Sequence, residues 1–323
     1  MFPSYDAVLL IAFGGPSSPE EIRPFIARVL RGHPVRPERV EEVARHYEAI
    51  GGRSPLSELT FQQARALEKR LKESGLPLPV YVGLRHSSPF LRETLDRMTA
   101  DGARRALGFI LSPHQSEASW ERYKKNVAEA QEELGGCAPY IDYCPGWHAH
   151  PLLIQAWTER IQSALARVAV QRRQTVPLIF TAHSIPTAMA ARSPYPAQIQ
   201  ETSRLVAERV GHQHWSVAYQ SRSGSPNEPW LEPDISDALR KLAAEGTVEV
   251  VVAPIGFVCD HVEVLYDLDI EAKKIAEGLG MRFLRVSSLN DHRTFIRMMA
   301  DIIETKLSAV SPKVLSLRTK PDS

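Results

Sequence analysis

Three carboxylates, Glu263, Asp267 and Glu271, stand four residues apart in the stretch "GFVCDHVEVLYDLDIE", residues 256–271. On a helix that spacing stacks side chains in one row, drifting only about 40° per step. Like charges in a row repel one another unless cations or water attend them. The row is therefore either a solvated helix face or a path for cations. Three histidines, His86, His114 and His183, together with Arg222, fall where apolar strand-like runs end. A neutral imidazole at His183 facing a carboxylate at Glu263 across one cleft would accept protons near neutral pH and hold a divalent metal briefly. Each also has a plainer use, His183 as a hydrogen-bonded structural residue and Glu263 as a solvated acid.

Other chemistries lack their residues. "FGGPSSPEE" has no G-x-G-x-x-G, and no G-x-x-x-x-G-K-[ST] occurs in the chain. Glu20 and Glu21 already occupy the positive end of the helix that follows, a poor cradle for phosphate. There is no G-x-S-x-G elbow for a serine hydrolase and no H-E-x-x-H for a zinc hydrolase. Cys137, Cys144 and Cys259 form no C-x-x-C, which argues against a disulfide framework or a structural zinc site. Beside the acids, Cys259 reads as a small buried core residue.

These side chains need elements to hold them. "DAVLLIAFGG" (6–15) reads as a buried strand, followed by a helix start with Ser18 as N-cap, Pro19 at N1 and Glu21 completing a capping box. Further strands are expected over 79–86, 105–114, 178–186, 215–224, 247–258 and 281–288, alternating with helices near 89–102, 119–134, 152–170, 195–210, 235–246 and 291–307. Strand–helix alternation predicts an α/β protein of two similar doubly wound, Rossmann-like domains with mostly parallel sheets. The seam falls near residues 150–175. In such sheets ligands sit beyond the carboxyl ends of the strands, where the candidate residues lie.

The 323 residues carry 39 basic and 38 acidic side chains, a net charge of +1, which gives no electrostatic argument for nucleic acid or an anionic membrane. Apolar runs are strand-length, well short of the roughly 20 residues of a membrane span. "MFPSYDAVLL" has no basic n-region, so no signal peptide is expected, and the odd cysteine count suits a reducing compartment. A cytoplasmic location is the expectation.

"LLIAFGGPSSPEEIRPF", "YEAIGGRSPL", "TAHSIP", "SPYPAQIQET", "YQSRSG…PWLEPD" and "PIGFVCDHVEVLYDLDIE" run in order from about residue 6 to 305, and together they resemble the ferrochelatase family. The resemblance implies two Rossmann-like domains around a porphyrin cleft. Residues 1–160, joined by a C-terminal helix over 291–310, would make the first domain and 161–290 the second, with 311–323 a frayed tail. It implies a lyase inserting Fe²⁺ into a porphyrin in haem biosynthesis, with release of two protons. His183 and Glu263 would be the inner pair, on opposite sides of the macrocycle, acting as proton acceptor and last metal ligand in roles left open. Asp267 and Glu271 would form an outer cation path. Phe13, Arg31, His46, Ser54 and Tyr123 would contact the substrate.

The chain looks most like the soluble, coproporphyrin III-using group, whose product is coproheme. Protoporphyrin IX as substrate, giving protohaem, is the alternative, and a cobalt or nickel chelatase and a non-enzymatic tetrapyrrole carrier are further rivals. Phe13 stands where some of that group carry Tyr, removing any axial tyrosinate, and His46 stands where others carry Arg. Three cysteines are too few for the [2Fe–2S] cluster of some members. No tightly bound cofactor is expected beyond substrate Fe²⁺, with Mg²⁺ admitted at the periphery. The expected partners are the porphyrin, ferrous iron and neighbouring haem-pathway enzymes, for a monomer with no nucleic-acid or membrane partner.

Overall fold

The computed structural model describes residues 5–31, 37–223 and 228–310. Its strands are β1 (Ala7–Ala12), β2 (Val80–Leu84), β3 (Arg105–Ile110), β4 (Tyr140–Tyr143), β5 (Leu178–His183), β6 (Trp215–Gln220), β7 (Glu249–Ala253) and β8 (Arg282–Arg285). They form two four-stranded sheets with one order, β2-β1-β3-β4 and β6-β5-β7-β8, and every pairing is parallel. Parallel neighbours need crossovers, and the intervening helices supply them.

The central strands are apolar throughout because both faces are covered. Ala7 to Ile11 and Val250 to Ala253 are fully buried. In each sheet the chain winds from the first strand to one side, then returns to pair on the other. The carboxyl ends of β1 and β3, and of β5 and β7, are therefore the reversal points where a crevice opens.

Several sequence expectations shift at their edges. The strands leave the sheets at Ala12, Leu84 and Ile110, short of the expected 15, 86 and 114. The apolar residues beyond those ends line the space above the sheet instead. The short strand β4, "YIDY", has only Ile141 buried and so lacks the apolar run that marked the others. The helices Pro37–Ala49 and Leu56–Glu73 also go beyond the expected set. In the second, Thr60, Gln63, Ala64, Leu67 and Leu71 make one buried stripe at helical spacing.

The capping box at Ser18 does not form. Pro19–Glu21 is a 3₁₀ turn leading into the helix Ile22–Val29, and the Glu21 carboxylate accepts from the Ser17 N–H (2.8 Å) while the Ser18 side chain caps nothing. The tighter turn moves the orphan donor one residue back.

One core spans both sheets. It includes Leu9 and Phe109 of the first, Phe180 and Val251 of the second, and Trp157 and Phe295 from helices Pro151–Leu165 and Arg293–Val310. The last helix packs on Pro151–Leu165 and on Leu56–Glu73. Residues 311–323 lie outside the described ones. Among the described residues no helix is long and apolar enough to cross a membrane.

Candidate active site

A cavity of about 1260 Å³ opens above the carboxyl ends of both sheets. It exceeds the usual range of roughly 300–1,000 Å³ for small-molecule sites, as a large flat ligand would require. Phe13, Ser54, Tyr123, His183 and Glu263 all reach its wall. Chain segments far apart in sequence thus converge above the ends of the two sheets.

The imidazole–carboxylate pair of His183 and Glu263 lies on the second sheet's side. His183 ends β5, and its Nε2 is 3.3 Å from Oε1 of Glu263, which sits on the turn of helix Val262–Leu265 after β7. The side chains are 28% and 35% exposed, open to the cavity rather than to the outer surface. Burial pushes the His183 imidazolium down, but the facing Glu263 carboxylate and the Ser184 carbonyl at Nδ1 outweigh it, and its pKa is raised to about 9. Burial likewise works against the Glu263 carboxylate, yet His183 and His261 hold it well below the ordinary range. The two form an ion pair in the ring-free protein.

At 3.3 Å they leave no room for a flat ring between them, which needs two contacts of about 3.5 Å each. The pair shares one side of the cavity here, contrary to the arrangement on opposite faces of a macrocycle that the sequence resemblance implied.

Supporting contacts fix both groups. Tyr195 donates its hydroxyl to the His183 carbonyl at 2.9 Å. His261 approaches Glu263 Oε2 with Nε2 at 3.2 Å and the Cys259 carbonyl with Nδ1 at 3.0 Å, so both carboxylate oxygens face an imidazole. The Gln220 amide donates to the Glu263 carbonyl. His261 was visible in "DHVE", two residues before Glu263, but as a lone histidine it carried no metal signature. Tyr195 and Gln220 reach the site only through the fold.

The acid row crosses a change of helix type: Asp267–Ala272 is a π-turn, one residue wider than α-helical. Asp267 accepts from the Ser221 hydroxyl, and burial first, then the Glu263 and Glu271 charges, push its carboxyl up to about 7. Glu271 is exposed, and its carboxyl is raised by partial burial and by Asp234 and Glu42. Both acids lie behind Glu263, outside the wall.

Arg31 and His46 also stand outside the wall. Arg31 is exposed in the turn after helix Ile22–Val29, and His46 stacks on Tyr266 with ring centroids 3.8 Å apart and planes at 11°. Of the other strand-end histidines, His86 lines the cavity against Phe13 (centroids 4.6 Å), whereas His114 is buried beside Thr202, with Nε2 3.0 Å from the hydroxyl. The Arg222 guanidinium reaches the Glu228 carbonyl at 3.0 Å, on the cavity rim.

Twin parallel sheets with a ligand cavity over their reversal points, and an imidazole–carboxylate pair on its floor, define a chelatase-like α/β protein. The same fold is seen in SirB from Bacillus subtilis with Fe³⁺, 10% identical, TM-score 0.59, covering 96% of this chain and 98% of that one. Residues 5–307 match the ferrochelatase family, and the chain belongs to it. It is similar to a protein named ferrochelatase in Rhodopirellula baltica, 39% identical over 312 residues covering 96% of this chain and 89% of that protein. It is also similar to proteins named coproporphyrin III ferrochelatase in Nocardia farcinica (40% over 318 residues, 96% and 90% covered) and in Geobacillus sp. (37% over 300 residues, 92% and 96% covered).

Proposed function

We propose that this ferrochelatase inserts Fe²⁺ into coproporphyrin III, with release of two protons, at the His183–Glu263 pair. The contact of that imidazole and carboxylate on the floor of a ring-sized cavity carries the reading. The names of the relatives from Nocardia farcinica and Geobacillus sp. support the tetracarboxylate as substrate.

The pair's electrostatics supply a sequence of events. Without substrate, Glu263 keeps His183 protonated, so the imidazole cannot yet accept a pyrrole proton. When Fe²⁺ at Glu263 takes up that carboxylate's charge, His183 loses the strongest of the influences that raise its pKa, and burial then favours the neutral base. Fe²⁺ arriving at Glu263 thus displaces a proton and frees a base beside the ring in one event, since metal ligands must be deprotonated. The imidazole takes one pyrrole proton and the second leaves by way of Asp267 as the metal moves to the ring nitrogens. Asp267, with a pKa near 7 and within reach of Glu263's charge, is placed to pass protons or weakly hold the incoming cation, and Glu271 extends that path to solvent.

Phe13, Ser54 and Tyr123 shape the ring's seat, while Arg31 and His46 act at the entrance. The same reading groups residues 1–160 and the last helix as one domain and 161–290 as the other, with the ring between them. Fe²⁺ is substrate here rather than a resident cofactor.

Anaerobic Fe²⁺ insertion followed by absorbance, with coproporphyrin III and protoporphyrin IX side by side, tests the proposal. Faster insertion into the tetracarboxylate is expected. Preference for the dicarboxylate overturns the substrate assignment, and ring binding without insertion makes the chain a carrier.

A further inference from the structure

Two guanidinium groups sit in the cavity wall on the first sheet's side, and neither has a carboxylate partner among the described residues. Arg85 follows β2. Its Nε donates to the Asn126 side-chain oxygen at 2.7 Å, and its guanidinium lies over the Tyr123 ring at 4.9 Å and the Phe13 ring at 5.6 Å. Those two rings hold the charge in place without neutralising it.

Arg122 opens the helix Arg122–Leu134 and lines the same cavity, and its guanidinium makes no hydrogen bond or ion pair with any described residue. Arg85 feels Arg122 as a like charge. Arg28 and Arg31 add to the field, so that four cations bear on His86, whose imidazole is pushed down to about 3 by burial first and then by those charges. Like charges kept together in a concave, partly dry wall cost free energy that a bound anion would offset.

We propose that Arg85 and Arg122, which line the same cavity, form a carboxylate seat for one acid group of the ring substrate. The seat rests on the reading of the cavity as a porphyrin site and deepens it. A dicarboxylate ring carries two acid groups and a tetracarboxylate four, so a wall with an added cationic seat favours the latter. Arg85 is the fixed half, clamped by Asn126 and two rings. Arg122 is the adjustable half, exposed and at the positive end of its helix. The seat acts by binding and takes no part in proton or metal transfer.

Arg122→Gln separates this role from folding, because the side chain is exposed and holds nothing else in place. The readout is kcat/KM for anaerobic Fe²⁺ insertion with coproporphyrin III and protoporphyrin IX, alongside equilibrium binding of each ring by fluorescence quenching. The expected result is a fall of about three- to tenfold in the tetracarboxylate-to-dicarboxylate ratio, carried by KM and shrinking as salt rises, as for a partly exposed charge pair. Arg122→Lys should recover part of the ratio.

Coproporphyrin III tetramethyl ester should bind wild type and Arg122→Gln alike. Lys125→Gln, which removes a cation of the same helix outside the cavity, should leave the ratio where it was. An unchanged ratio in Arg122→Gln, or an equal loss on both rings and on the ester, overturns the seat while leaving the ferrochelatase reading intact. Wild type that binds neither ring overturns that underlying reading, and the seat with it.

Discussion

At the residue scale, the proposed chemistry turns on how one imidazole, two carboxylates and their neighbours divide their protons. Glu263→Gln keeps the shape of the side chain and removes the charge that sustains the His183 imidazolium. On the proposed mechanism it should cost about 10²–10⁴-fold in insertion rate, because Glu263 would there hold the metal and serve as half of the proton relay. A rate within a few-fold of wild type would move the centre elsewhere.

Asp267 gives a pH prediction. Its carboxyl titrates near 3.8 in an unfolded chain and about 7 in the fold. Between those values the folded protein keeps a proton that the unfolded chain has lost, so stability from this group falls as pH rises through the interval. Asp267→Asn removes that loss while keeping an acceptor for Ser221. Its Tm relative to wild type should therefore be higher at pH 8 than at pH 4.5. The same difference at both pH values would show that the carboxyl is not held protonated.

His183 and Glu263 could be chosen from the sequence because each follows a strand in a long, specific motif. Their direct contact could not, since nothing in the sequence states the distance between β5 and β7 ends. Arg85 and Arg122 escaped notice for a different reason. An arginine in a loop or at a helix start is ordinary, and only the cavity shows that these two share a wall.

At the scale of elements, the loop that carries the pair is braced from behind. Asp260 accepts from Arg285 Nη1 (3.0 Å), the Ser288 hydroxyl (2.8 Å) and the Asn290 amide (2.8 Å), while Arg285 Nε also bonds Asp269 at 2.6 Å on the π-turn. Gln63, from the helix Leu56–Glu73, donates to both the Asn290 carbonyl (2.7 Å) and the Cys259 sulfur (3.0 Å). The residues on either side of His261 and Glu263 are thus tied to β8 and to the first sheet's helices.

Asp260→Ala should destabilise by about 2–4 kcal/mol, since Arg285 keeps one of its two partners, and should lower kcat more than it raises KM. Urea denaturation and steady-state kinetics check both, and unaltered kcat would show the brace to be structural alone. Apolar strands were legible in the sequence because burial on both faces leaves an unbroken signature. β4 was not, with one buried residue in four, and neither was the π-turn, since helical periodicity cannot distinguish one wide turn from an α-helical one.

At the scale of the molecule, the two sheets share a core. Trp157 and Phe295 are fully buried in the layer that joins them. Phe295→Ala should cost about 3–5 kcal/mol, and because the layer serves both halves, far-UV circular dichroism and tryptophan fluorescence should still report one coincident urea transition. Two separated transitions would mean that the halves unfold independently. The parallel, doubly wound architecture followed from the alternation of strands and helices. The place of the last helix followed only from the family resemblance, because no local pattern states which layer a C-terminal helix joins.

The most direct test pairs single-turnover Fe²⁺ insertion with equilibrium ring binding for wild type and His183→Ala, using coproporphyrin III. Insertion lost by about 10²-fold or more, with ring affinity kept within a few-fold, is the expected result. Retained insertion would contradict the assignment of His183 to the reacting centre.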